Sequence, residues 1–449
     1  MTPLYLFAEA FIFVSAAWAV YRFGGLQRHA AFGFCMLIYF FLLFFTPACN
    51  YLLHTQTLNG ISYAAYTEKG LSIYCLGLAA FTGIYFYTAR NLPLFMLPQL
   101  LRKLVRTKAI HRRLQLLFWL FLFIMLLNIQ LGGADLAAVF NFKTRNVQGI
   151  IFRSHNFSGW LEASNTCLVS VLILAAVYGI PRSRILFWSL ITGFFFLFSG
   201  LRYRLILVLM GWSLNWFMKL GFSRRNILKI TTFTFLAVIS LQYLTINRWA
   251  IAKRRWEYLT PDITRFSIRT LLTETNNSQV FFCVLKYRDE NNEPFDLGKG
   301  MFGGIITRAI PASFFPKGLK PLPRSLEVVI AATKPPDQRN GIGALSNIDE
   351  YYTSFGYPGV VVFMGLLAYF LARMPVPMTE KISAVHKADM IQENSILNEQ
   401  TDTLALYAIL VPGLFQLLTR GYFPQQFELY VFLLLPLFLL KMLPGKQSA

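Results

Sequence analysis

Eleven apolar stretches, each close to the length a lipid bilayer demands of a helix, govern what this 449-residue chain can become. A hydrocarbon core of roughly 30 Å takes about 17 to 25 apolar helical residues to cross. Runs near residues 4–21, 31–53, 70–88, 114–134, 159–180, 185–200, 205–220, 230–246, 358–373, 403–419 and 425–442 fit, the sixth and seventh being short and joined by almost nothing. Lipid offers no water to backbone N–H and C=O groups, so such segments must bond internally as helices. The expected fold is therefore an all-α polytopic membrane protein of about 11 transmembrane helices. Composition excludes a soluble globular domain, with 55% hydrophobic residues, 14% charged and 44 Phe. The first run lacks a basic leading segment and a cleavage site, which reads as a retained helix rather than a signal peptide.

Lys and Arg collect in short cytoplasmic connections, and their distribution sets the orientation. Threading eleven spans puts Arg22 and Arg28, Arg90 to Arg113, Arg182 and Arg184, Lys219 to Lys229, Arg373 to Lys387, and Lys441 and Lys446 on one side. That side is expected to be the cytoplasm, with the N-terminus outside and the C-terminus inside. Three parts follow: spans 1–8 over residues 1–246, a large loop over 247–357, and spans 9–11 over 358–449 with a cytoplasmic connector at 374–402. The loop faces outward, which in a bacterial inner membrane means the periplasm. Its polar block, Arg248 to Tyr357, carries Arg254, Arg255, Arg308, Arg324 and Arg339. Long loops translocate regardless of charge, so this basic content agrees with the orientation.

Cations in the short outer connections break the charge rule. They are Lys143, Arg145 and Arg153, then Arg202 and Arg204, then Arg420. Each either snorkels to lipid phosphates or binds an anion in a cavity. Three separate hairpins offering Arg at the loop's face favour anion binding. Arg202 and Arg204 diverge by about 200° on a helix, so one of them points into the bundle. A planar guanidinium pairs with oxygens two at a time and stays charged, which suits a diphosphate. Net charge of +21 would suggest nucleic acid in a soluble chain. In a membrane chain it points to anionic lipids and anionic lipid-linked substrates, with no nucleic acid.

Within the large block, Arg308 to Arg324 is Pro-rich and cannot be one helix. It reads as an extended segment laid over the bundle, its Phe and Ile residues dipping toward the interface. Thr260 to Lys286 has helical apolar spacing and is expected to lie flat on the membrane. At the block's end, Ser346-Asn347-Ile348-Asp349-Glu350-Tyr351-Tyr352 offers adjacent carboxylates, either a general base or helix caps and ion-pair partners. Several chemistries drop out. There is no GxxxxGK[ST] loop for nucleotide hydrolysis, the five His have no ligand spacing, and the five Cys form no CxxC pair. No metal and no cofactor is expected. Glu162, near the outer end of the fifth span, is a partner for an outer Arg or a proton relay.

The chain resembles the O-antigen polymerases, the Wzy-type oligosaccharide repeat-unit polymerases of bacterial surface polysaccharide. The likeness covers most of the length through its spans and single large outer loop. It is strongest in Ser199-Gly200-Leu201-Arg202-Tyr203-Arg204, Arg308-Ala309-Ile310-Pro311, Glu350 to Gly359, and Arg420-Gly421-Tyr422-Phe423. The resemblance implies a GT-C-like bundle with the loop packed over it, and a metal-independent glycosyltransferase. An oligosaccharide on undecaprenyl diphosphate would be the donor and a lipid-linked repeat unit the acceptor, transferred with inversion. A chain-length regulator and a flippase of the same pathway are the partners implied, besides membrane lipids. Arg308, Arg420 and Glu350 would be catalytic, with Glu350 as base. Arg202, Arg204, Arg145, Arg153, Arg324, Asp349 and Tyr351 would bind substrate. O-antigen ligases typically carry a histidine in the large outer loop, and none lies between Arg248 and Tyr357. A ligase-type transferase and a lipid-linked oligosaccharide transporter are the competing readings; transporters show internal repeats and broken or charged mid-membrane helices, which the spans here lack.

Overall fold

The computed structural model describes residues 1–90, 108–131, 163–198, 202–220, 225, 228–229, 232, 276–310, 314–315, 324–333, 344–374 and 390–442. Seven helices among them are long and apolar enough to cross a bilayer, and the protein is membrane-embedded. In chain order the elements are α1 (Thr2–Arg22), α2 (Ala30–Leu52, with a π turn at Phe40–Phe45), α3 (Thr67–Ala89) and α4 (Lys108–Leu131). Three shorter helices follow, α5 (Cys167–Val177), α6 (Arg182–Phe198) and α7 (Arg202–Leu220). The long segment contributes α8 (Asn277–Glu290), α9 (Gly304–Ala309) and α10 (Arg324–Thr333), and the chain ends with α11 (Asn347–Arg373), α12 (Met390–Thr419) and α13 (Phe423–Met442). Seven of the eleven expected spans thus fall on these bilayer-length helices, three more overlap the shorter α5, α6 and α7, and the eighth, 230–246, lies almost wholly outside the described residues. One hairpin interrupts the helices: Thr57–Leu58 pairs antiparallel with Ile61–Ser62 around Asn59-Gly60. Both turn residues have positive φ, 50° and 82°, as a two-residue hairpin requires.

Small residues let the central helices approach. A Cβ on Gly77 would stand 3.1 Å from Val360, and one on Gly365 would stand 2.5 Å from Ile84, so α3 and α11 meet at two glycines. Polar contacts sort the helix ends into two faces. At one, the Met1 amine meets Glu68 at 2.8 Å and Lys69 meets Asp289 at 2.6 Å, joining the N-terminus to the long segment. At the other, the Tyr178 hydroxyl donates to Asp402 at 2.6 Å and Lys441 pairs with Asp402 at 3.0 Å. These are called the loop face and the connector face below.

One expectation is corrected. The described part of the segment Thr260 to Lys286 does not lie flat on a membrane: α8 is buried from Asn277 to Leu285, with Phe282 over Gly70, where a Cβ would meet the ring at 2.0 Å. Its apolar residues run all round rather than along one stripe, the signature of an interior helix. The ninth span keeps its expected start near 358, and α11 begins before it at Asn347, where Ser346 and Asp349 form a capping box; Asn347 Nδ2 lies 3.6 Å from Met364 Sδ, so residues 347–355 fold back beside the span.

That helix is broken at Gly356, whose φ of 67° and ψ of −156° belong to a region glycine alone occupies readily. Pro358 has no N–H to offer Ser354, and the long segment supplies the missing donors. The Leu297 amide donates to the Ser354 carbonyl at 3.0 Å, and Arg288 Nη1 donates to the Thr353 carbonyl at 2.8 Å. Residues 288–298 are therefore stitched into the break.

Candidate functional site

The site begins with the turn Arg420-Gly421-Tyr422 between α12 and α13 at the loop face. Gly421 donates to the Leu345 carbonyl at 2.7 Å, so close that a Cβ would stand 2.2 Å from the Ser346 carbonyl oxygen. Only glycine fits. Asn277 Nδ2 bridges the Ala344 and Thr419 carbonyls at 2.9 and 2.7 Å, pinning the start of α8 to the same place. Glu350 completes the anchor: its carboxylate accepts from the Phe423 amide at 2.9 and 3.1 Å, capping the N-terminus of α13.

With α13 so placed, Glu428 projects from its second turn into the bundle, 1% exposed. Arg308 at the end of α9 meets it side-on, Nε donating to Oε1 at 2.7 Å and Nη2 to Oε2 at 2.8 Å. The pair lies in an open-sided cleft whose walls include Thr166, Tyr203, Arg204, Gln416 and Gln425. Arg204 is buried, its guanidinium carbon 5.5 Å from the Tyr203 ring centre and 5.7 Å from that of Phe196. Arg420, exposed at the rim, approaches the same Tyr203 ring at 5.9 Å. Tyr203 thus sits between two guanidiniums from different hairpins. Gln416 is 1% exposed and both polar atoms of its amide lack a hydrogen-bond partner. A buried amide without a partner calls for an explanation, and this one belongs to a residue that lines the cleft. Tyr422, in contact with Arg308 at 5.9 Å, has its hydroxyl pushed up to about 12 by burial against the pull of that guanidinium. It is a neutral donor at physiological pH.

The expected residues divide cleanly. Arg204 and Arg308 line the cleft and Arg420 stands at its rim, brought together from α7, α9 and the α12–α13 turn. Of the Arg202/Arg204 pair, the inward member is Arg204; Arg202 starts α7 and its side chain lies outside the described residues, as do Arg145, Arg153 and Glu162 entirely. Arg324 is away from the cleft, exposed and held by Glu293 at 2.5 Å and Glu327 at 3.1 Å. Asp349 is buried as the capping partner of Ser346, whose amide donates to it at 2.6 Å. Tyr351 is buried against Phe363, ring centres 5.0 Å apart. Glu350 does not line the cleft and has both oxygens on the Phe423 amide. The carboxylate in the cleft is Glu428, and sequence reasoning missed both it and Gln416. A lone Glu inside an otherwise apolar span was the available signal.

Among the described residues no cluster of three His, Cys, Asp or Glu side chains is arranged to hold a metal ion. Comparison with protein-family models, characterised proteins and solved structures finds no match to this chain.

Proposed function

We propose that the chain is a glycosyltransferase that polymerises oligosaccharide repeat units carried on undecaprenyl diphosphate, acting at the periplasmic face of a bacterial inner membrane. The observation that carries this reading is the cleft itself: Arg204 and Arg308 in its wall, Arg420 at its rim, and the unpartnered amide of Gln416, on a helix long and apolar enough to cross a membrane. Guanidinium forks from three elements around one polar cleft match the paired oxygens of a diphosphate.

In the reaction, the acceptor hydroxyl oxygen bonds to the anomeric carbon of the donor sugar. The bond from that carbon to the diphosphate oxygen breaks, its electron pair leaves with undecaprenyl diphosphate, and the configuration inverts. Arg308 and Arg420 neutralise charge gathering on the leaving oxygen, as fixed cations aimed at the point where it develops. Arg204 and Gln416 hold the remaining diphosphate oxygens. When the diphosphate takes over Arg308, the Glu428 carboxylate is released to accept the hydroxyl proton. The base role thus moves from Glu350 to Glu428, and Glu350 fixes the turn that carries Arg420.

Purified protein given a synthetic lipid-linked repeat unit should build a ladder of elongated products that survives chelation. Absence of elongation would defeat the reading.

A further inference from the structure

Helix α1 touches the rest of the protein along a narrow seam. Leu4, Phe7, Phe11, Val14 and Trp18 are exposed, side chains suited to lipid, while Thr2, Glu9 and Ala16 are buried. These three recur every seven residues, two helical turns, and so stack on one line. The line faces α3, where the Thr2 amide donates to Glu68 at 3.0 Å and the Cys75 thiol donates to the Tyr5 carbonyl at 3.5 Å. A carboxyl group thus stands within an apolar helix interface, about 10 Å along α1 from Thr2 at ~1.5 Å per residue.

Glu9 is 0% exposed, and neither of its oxygens has a hydrogen-bond partner. Two further polar groups are open in the same neighbourhood. The Tyr74 hydroxyl of α3 is buried and falls short of a hydrogen bond, yet lies near enough to Glu9 and to Asp349 to act on both. Asp349, on the part of α11 that folds back, accepts the Ser346 amide on Oδ2 at 2.6 Å and leaves Oδ1 open. Buried polar groups with unused hydrogen-bonding capacity call for an explanation, and here three helices bring one each.

The surroundings supply no counter-charge. Helix α3 brings Tyr74 and Cys75 against Glu9, and α2 meets α1 through Phe40 and Phe44 on Phe13. The Met1 amine is held by Glu68. Among the described residues no cation acts on Glu9, and the titratable side chains acting with Asp349 are Tyr74 and, from α2, Tyr39. An ionised Glu9 would be an uncompensated charge in an apolar interior. Two acids sharing one neighbourhood also resist ionising together. One proton held between them resolves both conflicts. It rests on Glu9, because Asp349 has an amide donor to steady its anion and Glu9 has none.

We propose that Glu9, Tyr74 and Asp349 form a proton-binding site inside the bundle, in which Glu9 carries a proton that exchanges with water at the loop face through the Tyr74 hydroxyl and Asp349. In the transfer, the Glu9 O–H passes its proton to the Tyr74 hydroxyl oxygen while Tyr74 passes its own to Asp349 Oδ1. The phenol is neutral before and after, and the negative charge moves from Asp349 to Glu9 with no other reactant. None of the three side chains lines the cleft. The site nonetheless adjoins its anchor, since Ser346, bonded by Asp349, packs on Gly421 beside Arg420.

The test is infrared spectroscopy of the full chain in phospholipid nanodiscs at neutral pH, where an ordinary glutamate, with a pKa of about 4.3, is ionised. Subtracting the Glu9→Gln spectrum from the native one should leave a carboxylic-acid carbonyl band, and transfer to heavy water should shift that band. Tyr74→Phe should keep the band and slow its shift about tenfold or more. Where Glu9→Gln yields too little folded protein, Glu9→Asp takes its place and should displace the band. A native spectrum identical to that of the Glu9 variant would overturn the proposal. So would a band that heavy water never shifts, or one that shifts at the native rate in Tyr74→Phe. The readout needs no catalysis, so failure of the polymerase reading would leave this result unmoved.

Discussion

Arg308 and Glu428, separated by 120 residues in sequence, form a side-on pair with N–O distances of 2.7 and 2.8 Å, the carboxylate buried and the guanidinium half-exposed. Removing one partner of a buried pair leaves the other uncompensated, at a cost of about 3–5 kcal/mol. Arg308→Ala is expected to lose stability on that scale, measured as a drop in thermal midpoint in detergent or nanodiscs. Adding Glu428→Gln removes the stranded charge and should recover most of the loss. Elongation activity should not return, because the diphosphate has lost its cation; recovery of activity in the double variant would separate the pair from catalysis.

Glu350 discriminates anchor from base. A glutamine there still offers an oxygen to the Phe423 amide, so Glu350→Gln is expected to keep the fold and to hold activity within several-fold of the native protein. Glu350→Ala removes the cap and should cost about 1–2 kcal/mol. A loss of more than a hundredfold in turnover for Glu350→Gln, with an unchanged thermal midpoint, would return the base role to Glu350.

The break in α11 gives a purely structural prediction. Gly356→Ala forces a side chain into a backbone region worth about 1–3 kcal/mol of strain and sets its Cβ 3.1 Å from the Phe295 ring. Arg288→Ala strips the Thr353 and Glu293 carbonyls of their donor. Each should lower the thermal midpoint by several degrees. Their effects should be less than additive, because both loosen the same stitched break.

At the connector face, His29 sets a pH dependence. Its ring is buried, with Nδ1 2.8 Å from the Tyr85 hydroxyl and Nε2 3.1 Å from the Phe23 carbonyl, so the neutral ring accepts at one nitrogen and donates at the other. Burial holds its pKa below the ordinary imidazole value, with Arg28 adding to the same direction and the Phe23 carbonyl opposing. The unfolded chain therefore binds the proton first, and stability rises with pH across that interval. The contribution is complete above roughly pH 6.5 and is lost as pH falls through the lower folded value. A thermal-midpoint titration should show that loss, and His29→Gln should flatten it.

Much of the fold was legible because lipid enforces it locally: seven apolar runs are bilayer-length helices where length and composition put them. The convergence of Arg204, Arg308 and Arg420 was legible too, since charge placement assigns each hairpin to a face without knowing any contact. What was not legible depended on pairs distant in sequence. Glu350 looks like a candidate base until Gly421 docks on Leu345 and hands it the Phe423 amide. Glu428 and Gln416 sit in spans whose apolar neighbours mask them, and nothing local announces that α9 will descend to meet one of them. The segment holding α8 read as an interfacial helix because of its helical apolar spacing, and nothing local shows that Arg288, just beyond it, will bond carbonyls at the break in α11.

The most direct measurement is elongation of a synthetic lipid-linked repeat unit by purified native protein, Arg308→Ala and Gln416→Ala, each with and without chelator. The native protein should yield a ladder unaffected by chelation, Arg308→Ala should reduce it at least a hundredfold, and Gln416→Ala about tenfold or more. A native protein that makes no ladder, or an Arg308→Ala variant that elongates at the native rate, would contradict the assignment of this cleft to lipid diphosphate chemistry.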